Sequence, residues 1–197
     1  AAMQEILYEE QHMKKILLYG LNDETADQYQ TLAANSSIAM YIINDAVLDT
    51  SVEKLFEIND DLDNQHADFE NAYMVLQDIE VNELVLLLKQ MDSIGKPFEG
   101  IKIMRTESNK QWSMRELFIQ AEKEYNVTKK AMVLQELIRS CNGIDVSELD
   151  SHQRSAFKDG IMNGYMLLKS GEYDEEALNA AIAVLSENLK NCRRLYN

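Results

Sequence analysis

The first two thirds of the chain alternate between short runs of apolar residues and longer segments in which apolar residues recur with helical spacing. The apolar runs predict four buried β-strands, at residues 16–19, 38–43, 72–76 and 101–104. The segments between them predict helices at residues 24–34, from 52 onward, at 79–91 and at 113–125. Strand and helix therefore alternate four times before residue 128.

Such alternation favours a parallel sheet whose strands are joined by right-handed crossover helices. We therefore predict an α/β fold with a four-stranded, mostly parallel sheet and flanking helices. A flavodoxin-like or receiver-like layout then implies the strand order 2-1-3-4. The fourth strand could instead lie at an antiparallel edge, and the sequence leaves both arrangements open.

Polar residues stand where the predicted helices begin, as helix capping requires. The predicted caps are Asn22 or Asp23, the capping box of Thr50 and Glu53, Asp78, and the capping box of Ser113 and Glu116.

From residue 128 onward the spacing of apolar residues is helical throughout. Three stripes predict three helices, with members Leu134, Leu137, Ile138 and Cys141; Phe157, Ile161, Tyr165 and Leu168; and Leu178, Ile182, Leu185, Leu189 and Cys192. A bundle of this size is marginal alone, so we expect it to pack on the α/β part or on a second subunit. The predicted organisation is an α/β domain at residues 13–127 and a small helical bundle at 128–197.

Residues 1–12 precede the first predicted strand, and we interpret them as an N-terminal extension, either a tag or a translated leader. The residues before Met13 can be encoded by a purine-rich ribosome-binding sequence. We therefore hypothesise that Met13 is the biological start, and we exclude residues 1–12 from the fold prediction.

The 197 residues include 34 acidic and 19 basic side chains, which gives a net charge of −15. This excess opposes binding to nucleic acid or to an anionic membrane, because both attract Lys and Arg. Residues 45–83 hold 12 acidic side chains and a single basic one, Lys54. A cation or a basic protein partner is therefore the natural ligand to test at that segment.

The longest uninterrupted apolar run, residues 84–88, is far shorter than the roughly 20 residues that span a bilayer. Cys141 and Cys192 are too few for a disulfide framework and fall at apolar helix positions, which indicates small buried side chains. We expect a cytoplasmic protein that does not enter a membrane.

Acidic residues follow the ends of the predicted strands, at Asp23, Asp45, Asp78 and Glu107. Ligands of open α/β sheets bind beyond the carboxyl ends of the strands, and carboxylate oxygens suit Mg²⁺. Asp23, Asp45 and Asp78 are therefore candidate metal ligands, and Mg²⁺ is the one cofactor that the sequence suggests. The simpler interpretation is that these residues cap helices.

A receiver-like phosphoacceptor site is a narrower form of this hypothesis. Asp78 follows the third strand and Thr106 the fourth, as such a site requires, but the acidic pair after the first strand and the fifth strand with its Lys are absent. Residues 59–68 have the composition of a calcium loop without its central Gly and bidentate Glu, which indicates a solvated acidic loop. The glycine patterns of dinucleotide and P-loop sites are absent, and no catalytic residues are identified.

One stretch of the chain resembles a known family. Residues 74–124 contain the third strand, the apolar run, the fourth strand, and then Thr106, Asn109, Trp112, Ser113, Leu117 and an acidic segment at 122–124. In this order they resemble a family of small bacterial domains of unknown function. The resemblance implies an α/β core and supplies no activity.

The expected function is that of a non-enzymatic binding or regulatory module that contacts a protein partner or a second copy of itself. The grounds are the missing catalytic residues and a helical bundle that needs a packing partner. The alternative is an Mg²⁺-dependent enzyme, or a degenerate receiver-like sensor, that uses the carboxylates at the strand ends.

Overall fold

The computed structural model describes residues 13–147 and 149–194. The N-terminal extension predicted at residues 1–12 lies outside these residues. The chain divides into two compact units, Ala1–Glu122 and Lys123–Asn197. This division falls after Glu122, whereas the sequence predicted a boundary after residue 127.

The first unit is built on a four-stranded mixed sheet with the strand order β2-β1-β3-β4. The strands are β1 Lys15–Tyr19, β2 Ala39–Ile42, β3 Tyr73–Gln77 and β4 Ile101–Met104. The helices are α1 Asp23–Asn35, α2 Val52–Leu55, α3 Val81–Ser93 and the first part of α4 Met114–Cys141, and a 3₁₀ turn occupies Asp45–Val47.

The sheet is mixed, so the prediction of a mostly parallel sheet is wrong and the flavodoxin-like layout is not confirmed, although the strand order agrees. The pairs β1–β2 and β3–β4 are parallel, but β1 and β3 are antiparallel, with Tyr19 opposite Tyr73. A parallel pairing needs a long crossover connection, usually a helix. The connection from β2 to β3 forms only the 3₁₀ turn and the four-residue α2, and β3 starts from the end of the sheet at which β2 stops.

The two parallel pairs follow the same backbone course. The first half, β1-α1-β2, has elements of 5, 13 and 4 residues, and the second half, β3-α3-β4, has the same lengths. Residues of β1 and α1 correspond to residues 58 positions later, as Lys15 does to Tyr73 and Asn22 to Glu80. Each half is thus one βαβ unit.

Helices α1 and α3 share one core on one face of the sheet. Its strand residues include Ile16, Leu18, Met74 and Leu76, and its helix residues include Tyr29, Ala33, Leu87 and Met91. Side chains alternate along a strand, so Tyr19 and Tyr73 point to the other face. There Phe118 of α4 stacks on Tyr73, with ring centroids 3.8 Å apart, and contacts Tyr19 edge-on at 5.4 Å.

Two of the predicted helix caps form in the structure and two do not. Asn22 caps α1 by accepting from the Thr25 N–H at 2.9 Å, and the capping box of Ser113 and Glu116 forms at the start of α4, as predicted. The box predicted for Thr50 and Glu53 is wrong, because Ser51 is the N-cap of α2. Asp78 does not cap α3, since the N-cap is Glu80.

The predicted helix end at residue 125 is also wrong, because α4 continues to Cys141. Neither Gly nor Pro interrupts its 28 residues, so nothing in the backbone ends the helix earlier.

The second unit contains the rest of α4, α5 Ser151–Ser170 and α6 Glu175–Arg194. Their shared core includes Leu134, Cys141, Phe157, Leu178, Leu185, Leu189 and Cys192, as the predicted stripes require. Gly171 ends α5 with φ 69°, and Asp174 caps α6 through the Ala177 N–H at 2.8 Å. In the described part of the chain, no helix has the length and apolar character needed to cross a membrane.

Candidate functional site

The three candidate metal ligands do not come together. Asp23 begins α1 and Asp45 begins the 3₁₀ turn, so both lie beyond the carboxyl ends of β1 and β2. Asp78 follows β3, which runs the opposite way and pairs its last residue, Gln77, with Lys15 at the start of β1. The antiparallel β1–β3 pairing therefore places Asp78 at the opposite end of the sheet. Within residues 13–147 and 149–194, no three His, Cys, Asp or Glu side chains are grouped to hold a metal ion.

Asp45 is held by hydrogen bonds from the protein itself. Its Oδ1 accepts from the Tyr19 hydroxyl at 2.5 Å, and its Oδ2 accepts from the Ala67 N–H at 2.7 Å. Burial opposes ionisation of Asp45, but these hydrogen bonds outweigh it and lower the pKa of the carboxyl group. Burial, together with Asp45, raises the pKa of Tyr19. The pair anchors the loop that leads into β3, and the carboxylate oxygens are already in use.

The acidic loop is likewise engaged in the structure. Asp61 Oδ1 accepts from the Ile42 N–H and from Gln30 Nε2, both at 2.8 Å. Asn64 Nδ2 donates to Asp23 Oδ1 at 2.8 Å and to Leu21 O at 2.6 Å. These side chains attach the loop to the outer side of β2 and α1, which leaves them poorly placed as ligands of a cation.

The residues that a receiver-like site requires do not all lie at one end of the sheet. Thr106 follows β4, which is parallel to β3, so Thr106 and Asp78 share an end. Asp23 and Asp45 are at the other end. Moreover, Thr106 Oγ1 is hydrogen-bonded with Ser108 Oγ at 2.9 Å, and the Thr106 N–H donates to Asn109 Oδ1 at 2.8 Å.

The second unit carries an open groove between α4 and α5. Two adjoining cavities of about 330 and 430 Å³ form it and share Gln135 and Leu168. Helix α4 and the residue after it line one wall with Thr128, Ala131, Met132, Gln135, Ile138, Arg139 and Asn142, and the other wall has Tyr165, Leu168, Lys169 and Tyr173. We call this surface the α4–α5 groove.

The α4 residues that line the groove are regularly spaced along the helix. Positions 128, 131, 135, 138 and 142 follow one another at steps of three and four, which is the spacing of the contact face in a coiled coil. At 1.5 Å per residue this wall is about 21 Å long, or roughly the length of a four-turn helix. The α4 wall therefore has the spacing and the length of a helix–helix contact face.

The groove combines an apolar surface with a basic end. Met132 is 65% exposed and Tyr165 is 52% exposed, and both are large apolar side chains that face solvent. Arg139 and Lys169 stand on opposite walls of the larger cavity. Among the described residues, the Arg139 guanidinium forms one ion pair, an exposed contact of 3.6 Å with Glu136, which leaves its charge available to a ligand.

Sequence reasoning missed this surface for an identifiable reason. The pattern placed Tyr165 in the buried stripe of α5. In the structure Gly160 and Gly164 occupy the inward side of α5, where a Cβ on Gly164 would lie 3.3 Å from Leu134, Ile138 and Leu185. This close packing turns Tyr165, Met162 and Met166 outward. The four-residue spacing of the two glycines was the signal available in the sequence.

Comparison of the chain with known protein families, with characterised proteins and with solved structures gave no match. The resemblance of residues 74–124 to a bacterial domain family therefore stays a prediction.

Proposed function

We propose that the protein is a non-enzymatic interaction module whose helical unit binds an amphipathic helix of a partner protein. The observation that carries this proposal is the α4–α5 groove, with its coiled-coil spacing and its exposed apolar side chains. A bound helix with apolar residues at positions i, i+3, i+4 and i+7 would cover Met132 and Tyr165 and complete a four-helix arrangement.

Charge complementarity defines the partner helix further. Arg139 and Lys169 flank the larger cavity, so an acidic side chain beside the apolar stripe of the partner would lie between them. A basic helix would be repelled at this end. The net charge of −15 argues against nucleic acid as the partner. We place the module in the cytoplasm, because both cysteines are free and buried, as is usual in a reducing compartment.

A designed peptide tests the proposal directly. The probe is a fluorescein-labelled amphipathic helix of about four turns, with Leu at the two apolar heptad positions and Glu at the flanking positions. We expect it to bind the full chain, as measured by fluorescence anisotropy. Tyr165→Ala should raise the Kd about tenfold, since an aromatic residue that a partner buries commonly dominates an interface.

Charge exchange supplies the control. The double variant Arg139→Glu/Lys169→Glu should weaken the Glu peptide and should strengthen a matched peptide that carries Lys at the flanking positions. Lys158→Glu changes the same charge on α5 outside the groove, and it should leave both affinities unchanged. If the double variant and Lys158→Glu behave alike, or if Tyr165→Ala has no effect, the groove is not the binding site.

A further inference from the structure

We propose that a second copy of the chain docks on the outer edge of β4, so that two four-stranded sheets join into one sheet of eight strands. This surface lies in the first unit and is independent of the α4–α5 groove. The two similar halves of the first unit carry the argument, because the described residues cover the outer edge of one half and leave most of the corresponding edge of the other open.

In the first half, the chain covers the edge of β2 with its own residues. The Leu62 N–H donates to Ile42 O at 3.0 Å, and Asp61 Oδ1 accepts from the Ile42 N–H. Gln30 of α1 donates from Nε2 to Met40 O at 3.0 Å. The backbone groups of this edge are therefore largely satisfied, and the loop at residues 61–64 covers it.

In the second half, the residues that the structure describes leave most of the edge of β4 uncovered. The N–H groups of Ile101 and Arg105 donate to Ala72 O and Leu76 O on the side of β3, so the backbone groups of Lys102 and Met104 point outward. Asn109 Nδ2 donates to Met104 O at 2.9 Å. Across the described ranges, the Lys102 N–H and C=O and the Met104 N–H have no hydrogen-bond partner.

The helices beside the two edges differ in the corresponding way. Asp23 and Gln30 of α1 face the loop at residues 61–64 and bond to Asn64 and Asp61. The residues 58 positions later in α3 are Val81 and Leu88, which are apolar. Asp27 likewise corresponds to Val85. Polar residues thus stand where a polar loop covers the helix, and apolar residues stand on the flank that the described residues leave open.

Val81 is 75% exposed and Val85 is 42% exposed. With half-buried Leu88 they continue the buried stripe of α3 outward, past the core residues Leu87 and Met91. An apolar flank beside an open strand edge calls for an occupant that supplies both a strand and an apolar surface.

A second copy supplies both elements. A two-fold axis at Ile103 places Lys102 of one copy opposite Met104 of the other in an antiparallel pair. The Met104 N–H of one copy then meets the free Lys102 C=O of the other. The Lys102 N–H meets the Met104 C=O, which already accepts from Asn109 and accepts a second hydrogen bond. The same axis sets the two α3 helices side by side, so that Val81, Val85 and Leu88 face their own counterparts.

The charges on this surface permit self-association despite the acidity of the whole chain. The outer side of α3 carries Lys89 and Asp92, one charge of each sign. Lysine on an edge strand usually blocks pairing. Here Lys102 Nζ turns back along its own strand, donating to Gly100 O at 3.0 Å and lying 5.1 Å from the centre of the Phe98 ring. The ammonium group therefore already has a hydrogen-bond partner at the start of its own strand.

Light scattering on a size-exclusion column, over roughly 1–100 μM full-length chain, tests the proposal. We expect a dimer that dissociates on dilution. The double variant Val81→Asp/Val85→Asp introduces the residues that α1 carries at the corresponding positions, so the helix tolerates them. It should raise the dimer Kd at least about tenfold, because it brings like charges together across the axis.

Two further variants make the result specific. Leu86→Gln introduces the residue of α1 at a position that is 55% exposed but outside the flank, and it should leave the dimer Kd unchanged. Met104→Pro removes an outward N–H without touching the bonds to β3, and it should abolish the dimer. Hydrogen exchange at Lys102 and Met104 should slow as the concentration rises.

A monomer at all concentrations overturns this inference, as does a dimer that survives Val81→Asp/Val85→Asp. A dimer that is lost in Tyr165→Ala instead would move self-association to the helical unit. The first two results do not affect binding of the Glu peptide to the α4–α5 groove, so the two proposals fail separately.

Discussion

Gly20 and Asp78 occupy equivalent positions in the two halves of the first unit. Each directly follows a central strand of the sheet, and each has a positive φ, 81° at Gly20 and 55° at Asp78. Glycine adopts this backbone conformation freely, whereas a residue with a Cβ is strained by about 1 kcal/mol or more. Asp78 is therefore a turn residue, and the helix cap follows two residues later at Glu80.

This equivalence predicts opposite effects of exchanging the two residue types. Asp78→Gly should stabilise the protein by up to about 1 kcal/mol, because relief of backbone strain exceeds the added entropy of the unfolded chain. Gly20→Ala should destabilise it by about 2 kcal/mol or more, since the new Cβ would lie 2.8 Å from Asn71 O. Urea unfolding at neutral pH measures both changes. A clear loss of stability in Asp78→Gly would show that its carboxylate makes an essential contact.

The local sequence pattern was sufficient to locate the four strands and some of the helix caps, but it did not predict the direction of the strands. The limits of β4 and the caps Asn22 and Ser113 were predicted correctly, because each depends on neighbours in the sequence. The direction of β3 depends on whether the preceding segment crosses the sheet, and no local pattern records that. The direction of β3 in turn decides at which end of the sheet Asp78 lies. The prediction grouped Asp78 with Asp23 and Asp45 because it assumed that β3 was parallel to β1.

The burial of Lys15 is a second feature that the sequence pattern did not predict. It is only 2% exposed, although hydropathy favours the surface for lysine. Its Nζ donates to Phe56 O at 2.8 Å and to Ile58 O at 2.7 Å, just beyond α2. Burial lowers the pKa of this ammonium group. The contact holds the connection between β2 and β3 at the sheet, and the sequence contains no signal for it.

Lys15→Met should therefore destabilise the protein by about 1–2 kcal/mol. The change removes a buried charge but leaves the carbonyl groups of Phe56 and Ile58 without a donor, and the second effect is the larger. Urea unfolding gives the magnitude, and hydrogen exchange should locate faster opening at residues 56–65. Lys14→Met is the matched control, because Lys14 lies at a more exposed site in an ion pair with Glu83. This substitution should lower the free energy of unfolding much less. Equal losses in the two variants would contradict the anchoring role of Lys15.

The pair formed by Tyr19 and Asp45 predicts a dependence of stability on pH. Because the pKa of Asp45 is lower in the folded chain than its ordinary value of 3.8, its contribution is complete above about pH 4. That contribution is lost as the pH falls through the folded pKa. Tyr19→Phe removes one of the hydrogen bonds that lower this pKa, and should cost about 1 kcal/mol at pH 7.

The difference in unfolding free energy between wild type and Tyr19→Phe should therefore shrink as the pH falls below about 4. Urea unfolding of both proteins between roughly pH 3 and pH 7 measures this difference, and effects of other carboxylates cancel in the comparison. In an Asp45→Asn background, Tyr19→Phe should show no such change with pH. A difference that is constant over the whole range would mean that the hydroxyl group acts independently of the charge on Asp45.

The placement of the acidic residues predicts the response to magnesium. Asp23 and Asp45 lie at the opposite end of the sheet from Asp78. Asp23 accepts a hydrogen bond from Asn64, and Asp45 accepts one from Tyr19. A bound Mg²⁺ needs several oxygens around one point, and binding to the folded state would raise Tm. We therefore expect millimolar MgCl₂ to leave Tm unchanged when the ionic strength is matched with NaCl. Asp45→Asn and Asp78→Asn should each shift Tm by the same amount with and without Mg²⁺. A rise in Tm with Mg²⁺ that either substitution abolishes would restore the carboxylate site and contradict a purely interacting role.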